Sequence, residues 1–238
     1  VHGSAPLSGV WHAAGVLADG LLASQCARSL RHVYAPKAHA AWSLQRSGAG
    51  LPLDACVLFS SIAALLGGSG QANYAAANCC LDSLSACRRS RALACSSVQW
   101  GPWADVGMAA GLAVNARLLR GGLGLLGLAE GIVAFRAALQ AQAAPVVAAF
   151  TVKWSRFLGG APSVPPFLEG FAAASLPHAP TVCEVGTPAG CAIGLEQVLE
   201  AVRMSVGGTG VDVDAPLMDA GLDSLGAVEL RNQLQAHV

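Results

Sequence analysis

The chain has 238 residues, 54% hydrophobic and 12% charged, with no net charge. That is ample material for a packed core, and it excludes a wholly disordered chain. No apolar run approaches the ~18 residues of a membrane span, no secretory signal opens the chain, and no dense Lys/Arg run with interleaved aromatics suits nucleic acid, so the expected setting is cytoplasmic, with no membrane or nucleic-acid partner.

The first element, Gly9-Val10-Trp11-His12-Ala13-Ala14-Gly15, reads as a short strand entering a small-residue turn. Leu21–Val33 and Lys37–Leu44 read as two helices, separated by Pro36, which cannot continue the first. Asp54–Ser60 is a short apolar run ending in serines, the pattern of a buried parallel strand. Gly67, Gly68 and Gly70 make a flexible loop before a long helix over Asn73–Arg91, whose terminal arginines suit the helix dipole. Ala94–Trp100 is a further strand, closed by Gly101-Pro102. Leu128–Ala141 reads as helix and Pro145–Val152 as a last strand.

Strands alternating with helices predict an α/β fold with a parallel sheet. Ligands of such sheets bind beyond the strands' carboxyl ends, where the His12–Gly15 turn and the Ser60-Ser61 pair both fall. From about 159 to 190 the texture changes to Pro, Ala, Ser and Thr, with Pro162, Pro165, Pro166, Pro177, Pro180 and Pro188, and reads as a linker. Leu195–Ser205 is then an amphipathic helix, and another starts near Ser224. Residues 1–182 carry a balance of +6 and residues 183–238 one of −6. The split suggests two modules and allows an acidic one to dock on a basic one.

Eight cysteines are present without a CxxC pair or zinc-ligand spacing, so no metal site is expected. The cysteines read as buried, reduced thiols.

Ser61, Tyr74 and Asn78 carry the strongest chemical signal. Tyr74 and Asn78 are four residues apart and share a helix face. Carbonyl reduction needs a proton donor for the developing alkoxide. A phenol serves if a nearby cation lowers its pKa from ~10, and a hydroxyl such as Ser61 can hydrogen-bond the oxygen. Only two lysines, Lys37 and Lys153, stand against twelve arginines, which makes Lys37 the candidate cation.

HAAGVLADG (12–20), APK (35–37), VLFSSIAALLGGSGQANYAAAN (57–78) and QWGPW (99–103) resemble, in order and spacing, the ketoreductase domain of modular type I polyketide synthases and animal-type fatty acid synthases. The likeness covers roughly 1–158 and implies the C-terminal part of a Rossmann-like short-chain dehydrogenase/reductase sheet. In that superfamily a lysine follows the tyrosine by four residues; in these ketoreductases the position is Asn and the lysine comes from an earlier helix, as Asn78 and Lys37 do here. The resemblance implies Tyr74 as proton donor, Ser61 as carbonyl orienter, Lys37 as modulator of Tyr74 and Asn78 in a supporting relay. It implies that His12, Ala13, Ala14 and Gly15 line the adenosine side of NADPH and that Gly101 and Pro102 lie by the nicotinamide. Leu17-Ala18-Asp19 keeps only the last acid of the family's Leu-Asp-Asp segment, and Leu66 stands where the alternative type has Trp. Asp19 therefore implies B-type facial preference and a D-hydroxyl, with Ala18 as a departure.

Asp219-Ala220-Gly221-Leu222-Asp223-Ser224-Leu225 resembles the attachment motif of acyl-carrier domains, with Ser224 bearing 4'-phosphopantetheine at a helix N-terminus. Residues 191–238 then form the N-terminal part of a small, truncated all-α carrier bundle. A phosphopantetheinyl transferase, an acyl thioester substrate on the carrier and other synthase domains of a parent chain are the implied partners. No GxGxxG opens a strand–turn–helix, so the dinucleotide fingerprint is expected upstream of Val1 and the later carrier helices beyond Val238. Little turnover is expected of these residues alone. The alternatives are a degenerate reductase acting as scaffold, a fatty acid synthase module and a stand-alone alcohol dehydrogenase, the last disfavoured by Asn78, Lys37 and Ser224.

Overall fold

The computed structural model describes residues 7–48, 51–104, 112–140, 142–159, 163–175, 194–206, 222, 226–227 and 230–231. They fall into two units: residues 1–110 with 125–150, and residues 111–124 with 151–238.

The first unit is built on four parallel strands in sequential order, β1 (Gly9–His12), β2 (Ala55–Ser61), β3 (Ser96–Trp100) and β4 (Val146–Ala149). Every residue of β3 is buried, because both faces of the sheet are covered. On one face Cys56 and Leu58 of β2 meet Leu81 and Leu84 of α4 (Ala72–Arg89) and Ala41 of α2 (Ala40–Ser47). On the other, Val57, Val98, Trp100 and Ala149 pack against Ala138 of α6 (Leu128–Ala138), with Phe59 and Phe135 partly buried beside them. The period-2 alternation of β2 thus feeds two separate core layers.

The polar letters of β3 follow the same alternation. Ser96 faces α6 and donates to the Ala138 carbonyl at 2.7 Å. Ser97 and Gln99 face α4 and both donate to Asp82. Burial of these groups is tolerable because each has a partner.

Pro36 does not separate two helices. α1 (Ala27–Tyr34) runs on through a wide π turn, Ala35–His39, into α2. In a regular α-turn the proline ring would collide with the carbonyl four residues back; the i+5 spacing relieves that contact. The turn also carries Lys37 inward, to 3% exposure. A one-turn helix not anticipated from the sequence, α3 (Ala63–Leu66), joins β2 to the glycine loop. Gly67 and Gly70 take φ of 77° and 70° there, a region L side chains avoid.

The second unit contains α5 (Leu112–Arg120), α7 (Trp154–Gly159), α8 (Glu169–Ser175) and α9 (Leu195–Val206). The segment read as linker is folded at its front: Trp154 and Phe171 stack at 4.4 Å, and Leu158 and Leu168 are buried. In the carrier region Ala201 and Val202 of α9 pack with Leu222 and Leu230. Leu222 thus anchors the chain two residues before Ser224, as its motif position requires; Ser224 itself lies outside the described residues. Among the described residues no helix is long and apolar enough to cross a membrane, and no group of three or more His, Cys, Asp or Glu side chains could hold a metal.

Candidate active site

β2 ends on Ser61, whose Oγ accepts the Ala63 N–H at 3.2 Å and so turns the chain into α3. α4 begins at Ala72, which places Tyr74 in its first turn and Asn78 one turn on. Asn78 is 0% exposed and its Nδ2 donates to the Tyr74 carbonyl at 2.8 Å; Asn78 Oδ1 is buried with no hydrogen-bond partner. Ser60, facing the helix, donates to the Asn78 carbonyl at 3.4 Å. The Lys37 ammonium donates to the Phe59 carbonyl of β2 at 3.0 Å and lies 5.2 Å from the Tyr74 ring centroid, a cation–π placement.

The electrostatics follow from burial. Desolvation pushes the Tyr74 hydroxyl above its ordinary pKa, against the smaller opposing effects of hydrogen bonding by Asn78 and Ser61. The sequence had suggested a phenol pulled down by Lys37; here burial outweighs every such effect, and the phenol keeps its proton at neutral pH. Desolvation also lowers Lys37, to about 8, with Asp82 acting in the opposite direction.

The residues expected to line the cofactor divide by position. His12 is 6% exposed and its Nε2 lies 3.1 Å from the Lys37 carbonyl. Burial lowers its pKa, so the ring is neutral. A carbonyl only accepts, so Nε2 carries the proton and ties β1 to the π turn. Ala13 and Ala14 are exposed just beyond β1, with Gly15 half-buried after them. Gly101 and Pro102 follow β3. A Cβ on Gly101 would stand 2.6 Å from the Phe150 Cβ, so close packing accounts for this glycine. Ala13 and Ala14 beyond β1 are thus open, whereas Gly101 and Pro102 beyond β3 are buried. Among the described residues no glycine-rich strand–turn–helix is present to cradle the phosphates of a dinucleotide.

Three residues that sequence reasoning did not single out fix the loop carrying Asp19. Asn73 donates to the Ala18 carbonyl at 2.7 Å, Gln71 donates to Asp19 at 3.1 Å, and Gly20 N–H bonds the Gly70 carbonyl at 2.9 Å. Asn73 stands next to Tyr74 and also caps its N–H at 2.7 Å. Its position beside the tyrosine was the available signal.

A parallel sheet with a Ser–Tyr–Asn set at its carboxyl edge and a buried lysine defines a Rossmann-like fold of the short-chain dehydrogenase/reductase kind. Residues 2–105 match the family model described as "KR domain", and residues 196–238 match "Phosphopantetheine attachment site". The chain is 40% identical, over 97% of its length, to the spectinabilin polyketide synthase system protein NorB of Streptomyces orinoci, and 37% identical over 96% to the erythronolide synthase EryA2 of Saccharopolyspora erythraea. It spans 11% and 7% of those proteins. A solved structure of "A-type Ketoreductases from Modular Polyketide Synthase" superposes with a TM-score of 0.67 at 37% identity, covering 72% of this chain and 37% of that one. The chain carries a ketoreductase domain followed by a phosphopantetheine attachment domain, and the relatives it matches are polyketide synthases. A ketoreductase domain implies a nicotinamide cofactor, and an attachment domain implies 4'-phosphopantetheine.

Proposed function

We propose that this segment reduces a β-ketoacyl thioester to a β-hydroxyacyl thioester with NADPH, the acyl chain being carried on phosphopantetheine at Ser224. The observation that supports this most is Lys37, buried and held on the Phe59 carbonyl against the ring of Tyr74. Such a costly ammonium in a core argues for chemistry rather than stability.

When bound, the reduced nicotinamide supplies a hydride to the carbonyl carbon. Ser61 orients the carbonyl oxygen by hydrogen bonding. Tyr74 gives its phenolic proton to that oxygen as negative charge builds there, completing the hydroxyl. Lys37 stabilises the phenolate left behind, and Asn78 holds the Tyr74 turn of α4. Residues 1–158 act as the reductase part, 159–190 as the connection and 191–238 as the carrier part. A phosphopantetheinyl transferase loads Ser224 in the cytoplasm, and other synthase domains supply and accept the acyl chain.

Asp19, held by Gln71 at the rim of the site, favours the D-hydroxyl product. The likeness to A-type structures makes the opposite configuration the second reading, and chiral chromatography of the released product separates the two. The function itself is tested by supplying the parent synthase with a β-ketoacyl carrier and NADPH. Gain of two hydrogens on the carrier-bound acyl chain, with matching NADPH oxidation, is expected; an unreduced acyl chain would refute it.

A further inference from the structure

The sequence predicts buried thiols throughout, but the described cysteines divide. Cys26, Cys79, Cys80 and Cys87 are exposed, whereas Cys56 and Cys95 are buried. Those two stand side by side. β2 and β3 are parallel with Val57 beside Ser96, so the residues just before them, Cys56 and Cys95, are the next pair in the same register. Side chains alternate along each strand. Ser97 and Gln99 point to α4, where they bond Asp82, and Cys95 shares their parity. Cys56 shares the parity of Leu58, and both cysteines belong to the core layer formed with Leu81 and Leu84 of α4. Two thiols thus lie on one face of neighbouring strands, with their side chains in hydrogen-bond contact. Adjacent strands are ~4.8 Å apart, within the ~4.4–6.8 Å between Cα atoms that a disulfide spans.

The surroundings suit this pair to oxidation. Arg88 of α4 lies beside it, buried. Its Nε donates to the carbonyl of Ala94, the residue before Cys95, at 3.3 Å, and its Nη1 donates to Gln45 Oε1. Both acceptors are uncharged, so neither cancels the guanidinium. Hydrogen bonding by Cys95 pulls the Cys56 thiol below its ordinary pKa against desolvation, and the charge of Arg88 acts the same way. Cys56 is therefore the nucleophilic member, since the thiolate is the reactive form. A cavity of about 460 Å³ borders both cysteines at the amino-terminal ends of β2 and β3, with exposed Asp54 and Gln140 at its margin. A small oxidant can enter there, at the end of the sheet away from Ser61.

We propose that Cys56 and Cys95 are a redox pair that a hydroperoxide converts to a reversible disulfide, closing the segment that carries Ser61, Tyr74 and Asn78 into one covalent loop. The Cys56 thiolate attacks one peroxide oxygen. The O–O bond breaks, and the departing oxygen takes up a proton and leaves as water or an alcohol. Cys56 is then a sulfenic acid. The Cys95 sulfur attacks the Cys56 sulfur; the S–S bond forms, the S–O bond breaks, and hydroxide leaves as water with the Cys95 proton. The thiol pair has lost an electron pair and the peroxide has gained it. A reducing dithiol restores both cysteines by exchange.

The test exposes the folded chain to hydrogen peroxide, blocks the remaining thiols with N-ethylmaleimide in urea, and digests with chymotrypsin. Cuts after Phe59, Tyr74, Leu81, Leu93 and Trp100 separate Cys56 and Cys95 from Cys79, Cys80 and Cys87. A peptide joining Cys56 to Cys95 is expected by mass spectrometry, and dithiothreitol should remove it. In Cys95→Ser the sulfenic acid has nothing to resolve it, and dimedone should trap it on Cys56. The joined peptide should form about tenfold faster, or more, in the folded chain than in chain already unfolded in urea, because the register holds the two sulfurs together. Cys56 and Cys95 both found blocked by maleimide after the exposed Cys26 has been oxidised would overturn the proposal, and so would a joined peptide that forms as fast in urea.

Discussion

Replacing Lys37 by Met should stabilise the fold while abolishing reduction. The side chain is 3% exposed, and burial lowers its pKa from the ordinary 10.5 to about 8. At ~1.4 kcal/mol per tenfold change, keeping the ammonium charged costs the folded state about 3 kcal/mol. Methionine fills a similar volume without the charge, but leaves the Phe59 carbonyl without its donor, which returns roughly 1–2 kcal/mol. The net expectation is a gain of about 1–2 kcal/mol at pH 7. Below about pH 8 the lysine is protonated in both states, and the unsubstituted chain bears the whole cost. Between about 8 and 10.5 the unfolded state binds more protons than the folded state, so the stability of the unsubstituted chain rises with pH. The advantage of the variant must therefore shrink over that interval. Urea unfolding of both chains at pH 7 and pH 10 measures it. A variant less stable at pH 7, or a gap independent of pH, would refute the reasoning.

Gly101→Ala places a Cβ 2.6 Å from that of Phe150 and 3.2 Å from its Cα; a loss of about 1–3 kcal/mol is expected from thermal unfolding, and unaltered stability would show that the β3–β4 edge yields freely. Asn78→Ala removes the 2.8 Å bond to the Tyr74 carbonyl from a site with no exposure and should cost about 1–3 kcal/mol; a change below half a kcal/mol would mean that the bond contributes little. Ser224→Ala should abolish the phosphopantetheine mass adduct after incubation with a transferase and coenzyme A, and an adduct that persists would place the attachment elsewhere.

Much of the reductase unit was legible because its signals are local. The apolar run ending in serines marked β2, and the i, i+4 spacing put Tyr74 and Asn78 on one helix face. Pro36 was misread because the rule that proline ends a helix assumes α spacing; the π turn accommodates it, and the same turn buries Lys37, which no local pattern announces. Asp82 was missed because a single acid in a long helix looks solvated. Its partners Ser97 and Gln99 lie on another strand, and only the alternation of β3 brings them to it. The fold at residues 163–175 was hidden behind Pro165 and Pro166, since its stability comes from Trp154 and Phe171 meeting across the sequence.

The central claim is that Tyr74 delivers the proton in carbonyl reduction. It is tested most directly by Tyr74→Phe in the parent synthase, following NADPH oxidation with a β-ketoacyl thioester while checking the Ser224 adduct by mass. Reduction is expected to fall by roughly a hundredfold or more with carrier loading unchanged. Reduction at the unsubstituted rate would contradict the account.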